Sequence, residues 1–184
     1  MFAIINPKND TMLFNIKKKI QKKLNLDNWK KLKISDYFYV FGTKTTKKEH
    51  ILPGKFSYIT TKNTSNGYEN SSHIWTEEGN VISIDSATNG ACFYQKKNFI
   101  ASDHVEKIWP KNKKFNIYNA LFLTTILNFE NHKYSYGRGR NLENIKKEKI
   151  FLPFNQNKEI DWKYMQIYIH NLYKKIIKKF LNNL

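Results

Sequence analysis

The clearest alternation of apolar and polar positions lies towards the C-terminal end of the chain. Trp162, Met165, Ile169, Leu172 and Ile176 follow one another at intervals of three and four residues, while Lys163, Gln166, His170, Lys174 and Lys178 take the other side. That spacing predicts a helix with an apolar seam suited to lengthwise packing on a second helix. Asp161 stands where an N-cap carboxylate accepts free N–H groups and meets the positive end of the helix dipole. Ile160 and Met165 fit the flanking staple positions. A lone helix of this kind more commonly docks on its own domain, but the apolar positions continue through Ile177, Leu181 and Leu184 and predict an arm that outruns one. A second helical spacing, Leu13, Ile16, Ile20 and Leu24 with Lys17, Lys18, Lys19, Lys22 and Lys23 between them, predicts a basic amphipathic helix over 12–24. Its narrow apolar face, with Phe14 as sole aromatic, favours packing on the C-terminal helix or a partner over a membrane surface. Residues 118–127 read as a third helix with Leu121, Phe122, Thr125 and Ile126 on its inner face.

Elsewhere the period drops to two. Segments 56–60, 81–84 and 90–95 read as strands, with turn signals at Pro53-Gly54, Asn66-Gly67 and Gly79-Asn80. Segments 101–105 and 108–110 continue the pattern. Ile150-Phe151-Leu152 reads as a short buried strand that stops at Pro153, which has no N–H for a ladder. Polar loops fall at 43–48, 61–67, 85–89 and 134–140. The fold class expected is α+β: a twisted β-rich domain over 27–158, a basic helical segment over 1–26 and a long helix over 159–184.

The chain has 184 residues, enough for one domain with a core of its own plus an extension. Its formal charge of +17 points to phosphate backbones as partners. A Lys-, Asn- and Ile-rich composition also arises from AT-rich coding, so the distribution of charge says more than its sum. Residues 56–95 carry Lys62 alone against Glu69, Glu77, Glu78 and Asp85, a local net of −3, which leaves the positive excess segregated elsewhere. The single cysteine, Cys92, excludes an internal disulfide and a cysteine-rich zinc site. Lying between Ala91 and Phe93, it reads as a small core residue. No apolar run is long enough to span a bilayer and the start lacks a signal-peptide pattern, so a soluble, cytoplasmic protein is expected.

Within Tyr134-Ser135-Tyr136-Gly137-Arg138-Gly139-Arg140, two glycines free the backbone to bend and two arginines offer forked donors beside aromatic rings. Such a turn fits a nucleic-acid groove. Catalytic strings are missing. The nearest to an adenine methyltransferase motif is Asn6-Pro7-Lys8, without the second proline and the aromatic. Asp161-Trp162-Lys163 has the spacing of a nuclease motif, but capping explains its aspartate. No P-loop string and no metal-ligand spacing occur. His104 beside Asp103 lacks a neighbouring nucleophile and reads as a hydrogen-bonded structural histidine.

Tyr136-Gly137-Arg138, Leu142, Ile145, Ile150 to Pro153, Asp161-Trp162, Met165, Tyr168 and Ile169 together resemble the DNA specificity subunits of type I restriction-modification systems. The resemblance extends more loosely to Trp29, Leu32, Ile34 and Phe38 leading to Gly42, and to Gly90 before an aromatic pair. It implies a non-catalytic domain that reads one half of a split site in double-stranded DNA. It also implies a helix that acts as spacer and docking surface for an adenine methyltransferase. S-adenosylmethionine would then be held by that methyltransferase, with no cofactor in this chain, and a restriction or translocation subunit is a further partner. Such subunits carry two recognition domains and two helices, whereas this sequence has one of each. A half-sized subunit is therefore expected, pairing through antiparallel helices at Trp162, Met165, Ile169, Leu172 and Ile176, with a monomeric module as the alternative.

The DNA contacts expected are Arg138 and Arg140, then Lys62, Asn63, Asn66 and Lys44. Arginine pairs bidentately with guanine and asparagine with adenine, each pair giving roughly 1–3 kcal/mol of discrimination. Either arginine serves a phosphate equally well, and Tyr136 stacks or supports the turn. Two other classes stay open: an unrecognised metal-dependent nuclease, and a general nucleic-acid binder without sequence preference.

Overall fold

The computed structural model describes residues 26–112, 115–135 and 137–182. The basic helix expected over 12–24, together with Tyr136 and Leu184, lies outside the described residues.

The first elements among the described residues are strand β1 (Trp29–Lys33), a single helical turn α1 (Ile34–Tyr37) and strand β2 (Phe38–Gly42), so the stretch leading to Gly42 contains both a strand and a helical turn. Strands β3 (Phe56–Ile59), β4 (Tyr68–Ser72), β5 (Val81–Asp85), β6 (Cys92–Gln95), β7 (Phe99–Ala101) and β8 (Val105–Pro110) follow. Helix α2 (Ile117–Phe129), the short helix α3 (Leu142–Lys147), strand β9 (Lys149–Pro153) and helix α4 (Trp162–Leu181) complete it.

A four-stranded antiparallel sheet in the order β2-β8-β5-β6 forms the centre. Strand pleating separates its faces. Phe38, Val40, Ile82, Ile84 and Ile108 point to one side, into a core completed by Ala120, Leu123 and Leu127 of α2, Ile145 of α3 and Met165 of α4. The other face carries Val81, Val105 and Trp109, which pack on Ile59, Phe99 and Ala101 of a second sheet ordered β4-β3-β7. Strand β3 runs parallel to β7 and antiparallel to β4. A separate ribbon pairs β1 with β9, Leu32 opposite Ile150. As expected β9 ends at Pro153, but its middle residue Phe151 is half exposed because a two-stranded ribbon has one face free.

Two helix faces depart from the sequence reading. Helix α2 buries Ala120, Phe122, Leu123, Thr124 and Leu127, leaving Thr125 exposed, so its inner face is turned from the one expected. Apolar residues encircle α2, and spacing alone cannot select between them. Its packing between β6 and α4 does. In α4, Asp161 caps as expected, its Oδ1 accepting from Tyr164 N at 2.8 Å. The seam, however, divides. Met165 and Ile169 are buried in the domain's own core and Trp162 packs against it, 6.3 Å from the Phe38 ring, so these three residues do not face a partner helix. Only from Leu172 onward, through Ile176, Ile177, Phe180 and Leu181, does the apolar side stand exposed. Part of the opposite side also meets the domain: Asn116 Nδ2 donates to Gln166 Oε1 at 2.9 Å and His170 rests on Tyr118, as does the neighbouring Tyr173.

Replacing Leu123, fully buried between sheet and helix, by alanine is expected to lower stability by about 2–5 kcal/mol. Lys174→Ala, exposed and off the apolar seam of α4, should change it by under about 0.5 kcal/mol. Urea unfolding of the two variants beside the parent checks both values.

Candidate nucleic-acid interface

Antiparallel pairing sends several loops out of one end of the central sheet. β2 finishes at Gly42 and β5 at Asp85, while β6 starts at Cys92 and β8 at Val105, with Gly42 opposite Glu106 and Asp85 opposite Val105. The connections from 43 onward, 86–91 and 102–104 therefore emerge together. Backbone bonds tie them, from Thr43 N to Val105 O at 3.1 Å and from Ser86 N to His104 O at 2.9 Å. His104 owes its place to that carbonyl and to a turn conformation at φ 57. Its ring is exposed, with Nε2 3.6 Å from Asp103 Oδ2. Asp85 orders the loop after it. Its buried carboxylate accepts from Ala87 N, Thr88 N, Asn89 N and Gly90 N at 2.9, 3.0, 2.9 and 3.2 Å, and from the Thr88 hydroxyl.

The glycine-arginine turn stands beside this loop. Ser135 and Arg138 close it, with Arg138 N donating to Ser135 O at 2.8 Å. Gly137 takes φ +83, a left-handed conformation that favours glycine, and a Cβ there would meet nothing within 4 Å. Arg138 is exposed. Directly behind it Gly139 presses on the neighbouring loop, where an added Cβ would lie 2.3 Å from Ser86 O.

Arg140 then turns inward, and here the sequence expectation is corrected. Its side chain is fully buried and cannot reach DNA. Nε and Nη2 each donate to Glu148 at 2.9 Å, and Nη1 lies among Gly90 O at 3.0 Å, Cys92 Sγ at 3.0 Å, Leu127 O at 3.2 Å and Asn131 Oδ1 at 3.2 Å. The Tyr134 ring covers the guanidinium at 5.0 Å. Burial pushes the Cys92 thiol up to about 12, which keeps it protonated, and Tyr134 likewise to about 12. Cys92 is thus the core residue expected.

The remaining predicted contacts are divided between two places. Lys44 is exposed and its backbone N–H is held by Glu77 Oε1 at 2.7 Å. Lys62 and Asn63 are exposed in the loop before Gly67. Lys48 Nζ lies 2.6 Å from Glu69, and this hydrogen bond, helped by the charge of Lys62, holds the Glu69 carboxyl below its usual range. Asn66, at φ 59 in the expected Asn-Gly turn, donates from Nδ2 to Gln95 Oε1 at 3.1 Å. It is pinned to the sheet rather than free to swing onto a base. That bond sets the 61–67 loop at the far end of β6 from the 86–91 loop, so the structure does not bring Lys62, Asn63 and Asn66 to Arg138.

Sequence reasoning missed an aromatic strip. Tyr39 and Phe41 stand exposed on the edge strand β2, each 5.5 Å from Trp109 of β8. Lys107 lies over Trp109 at 5.6 Å and Lys111 over Tyr39 at 5.9 Å. Its signal was the run Phe38-Tyr39-Val40-Phe41, apolar on both faces of a strand. Among the described residues no group of three His, Cys, Asp or Glu could hold a metal ion, and no helix is long and apolar enough to cross a membrane.

Residues 26–182 match the family described as the type I restriction modification DNA specificity domain. The chain belongs to that family. A curated relative, the type II restriction enzyme BgcI specificity subunit S.BcgI of Heyndrickxia coagulans, is 25% identical over 155 residues, which is 82% of this chain and 45% of the relative. The specificity domain also shares its fold with the S subunit of a type I restriction-modification system from M. genitalium, with a TM-score of 0.60 at 16% identity over 88% of this chain and 42% of the other. The HsdS subunit of Thermoanaerobacter tengcongensis matches with a TM-score of 0.58 at 7% identity over 93% and 48%. The specificity domain thus spans under half the length of each of these relatives.

Arg140→Met alone leaves Glu148 as an unpaired buried charge and is expected to cost about 3–5 kcal/mol, whereas Arg140→Met with Glu148→Leu should recover most of that loss. Chemical denaturation of the single and double variants tests this. Equal destabilisation by both would mean that the hydrogen bonds of Arg140 to Gly90 and Leu127, rather than the ion pair, hold the region.

Proposed function

We propose that this specificity domain recognises a short sequence in duplex DNA and directs an adenine methyltransferase to it, carrying no catalytic step itself. The match of residues 26–182 to a DNA specificity family is the observation that supports this best. The geometry agrees: Arg138 stands exposed on a turn anchored behind by Gly139 and Arg140. In this reading Arg138 meets a base edge while Lys44, Lys62 and Asn63 hold the backbone. S-adenosylmethionine belongs to the methyltransferase, and a restriction or translocation subunit is a further partner of the assembled enzyme.

The exposed half of α4 serves assembly. Leu172, Ile176 and Phe180 form its seam, which meets a second copy of the helix in antiparallel fashion, so that a two-fold pair of domains reads a two-part site.

Anisotropy titrations against duplex DNA and RNA of the same sequence test the recognition reading. Duplex binding should weaken steeply with salt, and Lys44→Ala and Lys62→Ala should each lower the slope of log K against log salt by about 0.9 while weakening all duplexes alike. Equal affinity for RNA and for every duplex would instead mark a general nucleic-acid binder. For the assembly, Ile176→Asp with Phe180→Asp should halve the mass measured by light scattering and leave the fold intact. An unchanged mass rejects the helix pair.

A further inference from the structure

The loop between β5 and β6, one of the polar loops marked in the sequence, contributes no residue to the contacts expected there, yet it has the properties of a reading element. We propose that residues 86–90 form a second base-reading element, with Thr88 as its contact residue, and that Gly139 and Arg140 are positioning residues that lock it to the Arg138 turn. This deepens the DNA-recognition reading and rests on it.

Three observations carry the proposal. First, the loop is ordered in advance, since the Asp85 carboxylate takes four successive backbone N–H groups. The backbone ordering cost of binding is thereby reduced. Second, its chemistry suits bases and not phosphates. The loop has no lysine or arginine and belongs to the stretch 56–95 of net charge −3. Thr88 is its exposed tip, with Ala87 and Asn89 half-buried. The Thr88 hydroxyl donates to Asp85 and is thereby engaged, which leaves the methyl group as the part of this exposed side chain still free to contact a base, and a threonine methyl is a fitting contact for the methyl of thymine in the major groove. Third, loop and turn cannot move separately. Gly139 meets Ser86 with no room for a Cβ, Arg140 Nη1 donates to Gly90 O at 3.0 Å, and a Cβ on Gly90, itself at φ +74, would stand 2.9 Å from Arg140 Cδ. The separation between Thr88 and Arg138 is therefore built in, and with it the spacing of the base pairs they meet.

The test is selection of preferred sites by the full chain from a pool of duplexes with a randomised core, scored position by position. Thr88→Ser keeps the hydroxyl bond to Asp85 and removes only the methyl. It should relax preference at one base pair about fourfold, the factor for one buried methyl group, and leave the other positions and the salt slope unchanged. Gly139→Ala touches neither Thr88 nor Arg138, yet should lower preference tenfold or more at the positions read by both. Arg140→Lys, which keeps the charge and loses the fork, provides the second variant for the same effect, with Arg138→Ala as the reference for a lost turn contact. A Thr88→Ser protein that enriches the parent motif with the same weight at every position overturns the role of Thr88. The parent motif from Gly139→Ala and Arg140→Lys overturns the coupling. If the parent chain itself enriches no motif, the recognition reading falls and this proposal with it.

Discussion

The structure turns on a guanidinium group held out of water. Arg140 and Glu148 are both buried, and taking two such charges from solvent costs several kcal/mol per ion even after relaxation. The arrangement persists because Nε, Nη1 and Nη2 each meet an acceptor. Replacement of buried ion pairs by apolar residues of similar volume is often neutral, so what distinguishes this pair is the direction that it imposes on its partners. A planar fork accepts one placement of its partners, and these come from the start of β6, the end of α2, the segment that follows α2 and the end of α3. Four stretches of chain converge on one side chain, and the turn that carries Arg138 is only two residues away. The orientation of an exposed arginine is thereby set in the interior.

Helix α4 shows a second division of labour, along its length. Its first turns belong to the domain: Met165 and Ile169 complete the core, and Tyr164 and Tyr168 close on Phe122 at 6.4 and 5.8 Å. Its last turns leave it. The same seam therefore fastens the helix at one end and presents an apolar surface at the other, so any partner that engages the exposed end is rigidly connected to the sheet through Phe38 and Trp162.

How much of this was legible in the sequence depended on how local each cause is. The Asp161 cap, the Asn66-Gly67 turn and the stop of β9 at Pro153 follow from neighbours within a few residues, and all are present. The fate of Arg140 was not legible, because Gly90 lies fifty residues away in sequence and Glu148 eight. Arg138 and Arg140 share a motif and a residue type, yet one is exposed and one buried, a difference that arises only when α3 folds back with Glu148 on it. The helix seam was legible as a pattern but not as a destination, since spacing by threes and fours suits an intramolecular core as well as a partner. The inner face of α2 was hidden by an excess of apolar residues. Thr88 was legible only as part of the polar loop 85–89, because its fixed position derives from the Asp85 carboxylate beneath it, which accepts from the backbone and hydroxyl of the folded loop.

At Gly137 the chain faces open solvent, and two residues later at Gly139 it has no space even for a methyl group. Freedom and constraint are thus separated by a single position. Side chains on the outer side of that border can be exchanged without disturbing the interior, while the frame that aims them stays as it is. For anyone wishing to retarget such a domain, grafting should be confined to the exposed positions 138 and 88, with Asp85, Gly137, Gly139, Arg140 and Glu148 left alone as the mount on which interchangeable heads are set.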